Sequence, residues 1–123
     1  MRRPLIVALT VALAACGSDS TGPNGQFSGQ YALRTVNGSP LPYTFSPTAT
    51  VVSDIVTLSS DGTYTDDAQL TTGEVLPEQG RYINNNGSLT FYPDDGGSYS
   101  GSISGSTLTE FFSGGITEVF ERQ

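Results

Sequence analysis

Apolar and polar residues alternate along most of the chain beyond residue 26, and no stretch there repeats apolar residues at the spacing of a helix. Alternation places apolar side chains on one face of a strand, so the pattern predicts a protein built from short strands. Val, Thr, Tyr and Phe, which fit strands well, are frequent in these stretches. The predicted strands cover residues 28–36, 43–45 with a continuation at 50–52, 54–59, 63–71, 79–83, 88–92, 98–104, 107–112 and 116–121.

Turn-forming residues separate these strands, among them Asn37-Gly38, Asn86-Gly87 and Gly105-Ser106. Such residues tolerate the positive φ angles of tight hairpins, so successive strands are expected to pair with one another. The predicted fold is all-β: a single antiparallel up-and-down β-barrel of about eight strands, because closure leaves no exposed edge. A two-sheet β-sandwich is the alternative, although few connections here are long enough for its crossovers. The proline-containing segment 38–47 is expected to cross or close one end of the barrel.

The alternation also predicts which side chains face the interior, and aromatic residues are prominent among them. Aromatic side chains line many small-molecule cavities, but they also fill barrel cores, which is the plainer interpretation. The candidate cavity-lining residues are Tyr31, Leu33, Tyr64, Tyr82, Phe91 and Tyr99.

The last hairpin has two registers that the sequence leaves open. A three-residue loop at residues 113–115 pairs Leu108 with Phe120 and places Glu110 opposite Glu118, both facing inward. A two-residue turn would instead place Glu110 opposite Val119. Like charges across a ladder repel, so the candidate carboxyl pair Glu110 and Glu118 is most simply interpreted as a mouth position open to solvent.

The N-terminal segment has the features of an export signal. Arg2 and Arg3 precede an apolar run over residues 5–14, and Leu13-Ala14-Ala15-Cys16 follows. The Leu13-Ala14-Ala15-Cys16 stretch resembles the lipobox of bacterial lipoproteins, which implies cleavage before Cys16 and acylation of that residue. A plain secretory signal that leaves Cys16 as a free thiol is the alternative.

The lipobox resemblance implies a three-part organisation. Residues 1–15 form the lipoprotein signal peptide, residues 16–26 form the lipidated cysteine and a flexible polar tether, and residues 27–123 form the barrel domain. The protein is then exported and held on a membrane by its acyl chains, since two or more chains anchor stably. Gly17 rather than aspartate follows Cys16, which favours the outer membrane in a Gram-negative source.

Composition excludes several classes of function. The chain has twelve Asp and Glu residues against five Arg, a formal net charge of −7 and no clustered cations, which argues against nucleic-acid binding. It has no histidine and a single cysteine, which excludes Ser-His-Asp and Cys-His catalysis, a Cys/His zinc site and an intramolecular disulfide. No enzymatic activity, metal or cofactor is therefore expected. The acidic pairs Asp66-Asp67 and Asp94-Asp95 are interpreted as solvated strand and turn residues.

Short motifs throughout the barrel domain resemble bacterial lipocalin-like lipoproteins of uncharacterised role. The motifs are Gly29-Gln30-Tyr31-Ala32-Leu33, Val36-Asn37-Gly38-Ser39-Pro40-Leu41-Pro42, Leu58-Ser59-Ser60-Asp61-Gly62-Thr63-Tyr64, Gly80-Arg81-Tyr82 and Phe120-Glu121-Arg122. The resemblance implies a small closed barrel and supplies no catalytic residues.

The expected function is therefore that of a non-enzymatic envelope lipoprotein whose barrel binds a small apolar or amphipathic ligand. A module that presents barrel loops to an envelope protein, as a partner or inhibitor, is the alternative. A hydrolase that uses Glu110 and Glu118 as paired carboxylates is the least favoured interpretation.

Overall fold

The computed structural model describes residues 25–123, which form ten strands and one short 3₁₀ helix, Gly25–Phe27. The strands are β1 (Gly29–Val36), β2 (Ser39–Pro40), β3 (Tyr43–Ser46), β4 (Ala49–Leu58), β5 (Thr63–Leu70), β6 (Val75–Asn85), β7 (Ser88–Pro93), β8 (Tyr99–Ser104), β9 (Thr107–Phe112) and β10 (Ile116–Arg122). The signal peptide, the lipobox residues Leu13, Ala14 and Ala15, Cys16 and most of the predicted tether lie outside the described residues.

Antiparallel pairing runs from each of β4 to β9 to the next strand in sequence, and β10 pairs with β1. Pairing of β1 with β4 then closes eight strands into a barrel, and the short strands β2 and β3 lie outside the closed ring. The predicted up-and-down barrel is therefore confirmed, and the sandwich alternative is excluded. No helix within residues 25–123 is long and apolar enough to cross a membrane.

Tight turns at the predicted positions produce this connectivity. Asn37 and Gly38 have φ angles of 51° and 82°, and Asn86 and Gly87 have 56° and 91°. Two consecutive positive φ angles match the twist of the flanking strands, which is why Asn-Gly pairs favour hairpins.

Two strands differ from their predicted bounds. β4 is one strand where two were predicted, because a bulge between Val51 and Ser53 interrupts its alternation without ending its pairing. β6 begins at Val75 rather than near Gln79, since residues 75–78 pair with β5 although they include Pro77.

The wall of the barrel has a seam where β1 and β4 separate. The two strands pair only from Gly29 opposite Leu58 to Ala32 opposite Ile55. Beyond Ala32, β1 pairs with β2, and the first half of β4 pairs with β3. The connection that contains β2 and β3 covers this end of the barrel, and its Leu41 and Tyr43 pack against the core.

Buried apolar side chains fill the interior. They are Tyr31, Leu33, Val36, Val51, Val56, Leu58, Tyr64, Leu70, Tyr82, Leu89, Phe91, Ile103, Leu108 and Phe120. The 3₁₀ helix covers the other end of the barrel, where Phe27 packs against the core. The Tyr31 hydroxyl holds the helix there by donating to the Phe27 carbonyl oxygen at 2.7 Å. Gly25 and Gln26, assigned to the tether from the sequence, belong to this helix.

Candidate functional site: an acidic layer inside the barrel

Five acidic side chains enter the barrel interior near the end covered by Leu41 and Tyr43. Each follows the alternation of its own strand: Glu110 lies two residues from Leu108, Glu118 two residues from Phe120, and Asp66 two residues from Tyr64. We call the five together the acidic layer. Its members are Asp54 on β4, Asp66 on β5, Glu78 on β6, Glu110 on β9 and Glu118 on β10.

The register of the strand pairs places these residues at similar positions along the barrel axis. Asp66 lies opposite Glu78 across β5 and β6, and Glu118 lies opposite Glu110 across β9 and β10. Glu110 also lies opposite Gly101 on β8. Gly101 has no side chain, and the Phe91 ring occupies this position, since a Cβ at Gly101 would lie 3.1 Å from the ring.

Glu110 is the most deeply placed member of the acidic layer. Its side chain is 0% exposed, and neither Oε1 nor Oε2 has a hydrogen-bond partner. Burial raises the pKa of Glu110 well above its usual range, and the negative charges of Glu118, Asp54 and Glu78 raise the pKa further. Burial and these charges therefore favour the protonated form of the Glu110 carboxyl.

Glu118 is 8% exposed, and burial followed by the charges of Asp54 and Glu78 raises the pKa of its carboxyl to about 7. The sequence left the register of this hairpin open, and the structure has the one that pairs Glu110 with Glu118. The interpretation of the pair as a solvent-exposed mouth position is wrong, because both side chains are enclosed by the barrel.

Asp54 and Asp66 share a hydrogen bond between their carboxyl groups. Burial is the largest cause that raises the pKa of each; the hydrogen bond lowers the pKa of Asp54 and raises that of Asp66, to about 11. Burial and this interaction therefore favour the protonated form of Asp66. The interpretation of Asp66 as a solvated residue is therefore wrong, whereas its neighbour Asp67 is exposed.

Two tyrosine hydroxyls converge on the remaining member. Tyr64 Oη and Tyr99 Oη each donate to Glu78 Oε2 at 2.7 Å. Burial is the main cause that raises the pKa of both phenols, so they remain donors at neutral pH. The proton of each hydroxyl is engaged in the hydrogen bond to Glu78, and the two bonds together fix the position of Oε2.

No positive charge balances the acidic layer within residues 25–123. The cations there are Arg34, Arg81 and Arg122, and all three are exposed. Arg122 lies over the Tyr31 ring, 5.7 Å from its centroid, and donates to the carbonyl oxygens of Gln26 and Ser28 near the opposite end of the barrel.

A groove at the β1–β4 seam reaches the acidic layer from outside. Its volume is about 460 Å³, and its walls include Leu33 and Asp54 from the barrel interior. Leu41 lies on one side of the groove, and Arg34 lies at its outer part. This volume is within the range of ordinary small-ligand sites.

The six predicted cavity-lining residues are all in the core, but they divide between two environments. Phe91 is central: its ring centroid lies 5.0 Å from that of Tyr64 and 4.9 Å from that of Tyr99. Tyr82 and Tyr31 instead donate to backbone carbonyl oxygens, Tyr82 to Ser59 at 2.6 Å. Tyr64 and Tyr99 therefore contact the acidic layer through Glu78, and Leu33 lines the groove.

Sequence reasoning missed Asp54 and Glu78 as interior residues. A signal was present, because Asp54 lies two residues before Val56, and Glu78 lies four residues before Tyr82 in a continuous strand. The bulge in β4 interrupts the alternation just before Asp54, and the predicted start of β6 lies beyond Glu78. Neither residue was therefore recognised as facing inward.

The acidic layer does not have the arrangement of a metal centre. No group of three or more Asp, Glu, Cys or His side chains among residues 25–123 converges as metal coordination requires. What these carboxyls can do is hold protons and accept hydrogen bonds from a donor that lies between them.

No protein-family model matches this chain, and no significant match is found among curated proteins or solved structures.

Proposed function

We propose that this protein is a membrane-anchored envelope lipoprotein, without enzymatic activity, whose barrel binds a small amphipathic ligand. The observation that carries the ligand-binding role is the groove at the β1–β4 seam. Its walls combine apolar side chains, among them Leu33, Leu41 and Val52, with the carboxyl group of Asp54. An amphipathic molecule has an apolar part that can pack against apolar side chains and a polar part that can bind a carboxyl group.

The anchoring part of the proposal rests on Leu13-Ala14-Ala15-Cys16 and on the polar segment that follows it. Acyl chains on Cys16 would hold the domain at a membrane, and an outer-membrane location fits Gly17 in a Gram-negative source. The tether would keep the groove accessible to solutes.

Native mass spectrometry of the protein, purified from a bacterial envelope, tests the ligand-binding role. We expect a fraction of the protein to carry one small molecule, which is lost when the groove is filled by Ser53→Trp. An empty protein in every preparation, together with failure to take up any amphiphile from an envelope extract, would contradict the proposal.

A further inference from the structure

The carboxyl groups inside this barrel lower the stability of the folded protein. Each carboxyl of the acidic layer gives up hydration, and no cation among residues 25–123 compensates for it. Amide or apolar side chains of similar volume would fill the same space at lower cost. A set of groups that disfavours folding is typical of a functional site.

Glu110 provides an observation independent of the number of acids. It is completely buried, both of its oxygens lack a partner, and the charges that act on it are those of Glu118, Asp54 and Glu78. Buried polar atoms in folded proteins almost always have partners. The two Glu110 oxygens therefore offer positions at the centre of the acidic layer to which a hydrogen-bond donor could bind.

An organic ammonium ion suits the free oxygens of Glu110 better than a metal ion does. A metal ion needs several oxygens around one point, and the described side chains offer no such group. An ammonium group needs fewer ligands, because one or two acceptor oxygens together with nearby negative charge and an aromatic face can hold it. Glu110 offers both of its oxygens, and the charges of Glu118 and Asp54 act on the same place from neighbouring strands.

The surroundings of the acidic layer suit the rest of such a ligand. The rings of Phe91, Tyr99 and Phe112 form a row with centroids 4.9 Å and 4.7 Å apart. Aromatic faces attract organic cations and pack against their apolar parts. The groove that reaches Asp54 has Leu33, Leu41 and Val52 in its walls, which provides an apolar path for an alkyl or aryl substituent.

We propose that the acidic layer is the binding site for a small organic ammonium ion that carries an apolar group, with Glu110 as its hydrogen-bond acceptor and Glu118 and Asp54 as sources of further negative charge. This inference rests on the ligand-binding role proposed above, and it names the chemical class of the ligand. Glu78 is held by its two tyrosines and contributes negative charge from the side.

Binding of an ammonium ion to this site is expected to release protons. Burial raises the pKa of Glu110 and of Asp66 in the free protein, and it raises the pKa of Glu118 to about 7. A cation among them favours their ionised forms, and the protons pass to the buffer. The titratable groups that face the site are Asp54, Tyr64, Asp66, Glu78, Tyr99, Glu110 and Glu118, and Arg34 is the charge at the outer part of the groove.

Isothermal titration calorimetry of the purified protein tests this inference, with n-hexylammonium chloride as the probe. The controls are n-hexanol, which has the same apolar chain without the charge, and calcium chloride. At about pH 7.5 we expect saturable binding of hexylammonium, binding of hexanol weaker by about tenfold or more, and no saturable binding of calcium. Titrations in buffers of different ionisation enthalpy should show proton release, and affinity should fall by about tenfold or more towards pH 5.

Matched variants separate the acidic layer from general charge. Glu110→Gln should lower the affinity for hexylammonium by about tenfold or more, whereas Glu74→Gln in the exposed β5–β6 turn should leave it unchanged. Glu118→Gln inside the barrel and Asp67→Asn outside it form a second pair, and they carry the test if Glu110→Gln does not fold. Equal affinity in the inside and outside variants, or absence of hexylammonium binding, would overturn the inference.

The outcomes also distinguish the class of ligand from the ligand-binding role itself. Binding of hexanol as tight as that of hexylammonium, or recovery of an uncharged molecule from the envelope, overturns the ammonium site and leaves the ligand-binding role intact. Tight binding of calcium with displacement of hexylammonium would assign the acidic layer to a metal ion and overturn the inference.

Discussion

Glu110 and Glu118 lie opposite each other across the β9–β10 ladder, and both carboxyl groups are enclosed by the barrel. Like charges in this relationship repel, and their burial removes the water that would screen them. Burial and nearby negative charges raise the pKa of the two carboxyls and favour their protonated forms. The raised pKa values make the stability of the protein dependent on pH.

The stability of the protein should fall as pH rises through neutrality. The pKa of Glu118 is raised from 4.5 to about 7 in the folded protein. Between these values the unfolded chain releases the proton first, so the free energy of unfolding falls as pH rises. The decrease from this group is on the order of 3 kcal/mol above the folded pKa. Urea unfolding across this pH window measures it.

Glu118→Gln removes this titration while it keeps the volume of the side chain. We expect the variant to be more stable than the parent by up to about 3 kcal/mol near pH 8, and similar to it near pH 4. Glu74→Gln, on an exposed turn, is the control and should shift neither value. A Glu118→Gln protein less stable than the parent near pH 8 would show that the carboxyl is ionised and favourably solvated there.

The two tyrosines on Glu78 should be interdependent. Tyr99→Phe keeps the ring that stacks on Phe91 at 4.9 Å but removes the hydroxyl that donates to Glu78 Oε2. We expect a loss of about 1–2 kcal/mol in the free energy of unfolding, and a larger, non-additive loss when Tyr64→Phe is combined with it.

Thermal or urea unfolding of the single and double variants measures this interdependence, with Tyr92→Phe on the exposed surface as the control. Strict additivity of the Tyr64→Phe and Tyr99→Phe effects would argue against a shared acceptor.

Gly101 should be intolerant of a side chain. A Cβ at this position would lie 2.8 Å from the Thr109 carbonyl oxygen and 3.1 Å from the Phe91 ring. Gly101→Ala should therefore destabilise the protein by about 1–3 kcal/mol, since neither neighbour can move without disturbing the β8–β9 ladder or the core. Ser102→Ala on the same strand is exposed and serves as the control. Equal stability of the two variants would mean that β8 can shift outward at little cost.

Cys16→Ser should release the protein from the membrane. The proposal assigns anchoring to acyl chains on Cys16, and a chain of net charge −7 has little electrostatic attraction to anionic lipid. Fractionation of cells that express the full chain should place the parent with membranes after a salt wash and the variant in the soluble fraction. Retention of Cys16→Ser with the membranes would contradict the lipoprotein assignment.

Local sequence patterns were sufficient to predict most of this fold. The Asn-Gly pairs at residues 37 and 86 and the alternation around Leu108 and Phe120 determine hairpins between neighbouring strands. The pairing of β1 with β4 closes the barrel over a longer separation, and only the general preference for closed edges indicated it.

The acidic layer was mostly beyond sequence reasoning. Glu110 and Glu118 were recognisable because they belong to one hairpin, although their burial was not. Asp54, Asp66 and Glu78 come near them only because the barrel closes with a particular stagger between strands. The bulge in β4 is a further reason, because it breaks the alternation between Val51 and Asp54, both of which face inward.

The central claim is that these carboxyls hold protons in the free protein and exchange them for an organic cation. Carbon-13 NMR of the side-chain carboxyl carbons near neutral pH tests this claim most directly, with assignments from Glu110→Gln and Glu118→Gln. We predict that the Glu110 signal is that of a protonated acid in the free protein and moves to the position of an ionised carboxylate when n-hexylammonium is added. A Glu110 signal that is already ionised in the free protein, or that does not respond to hexylammonium, would contradict the account.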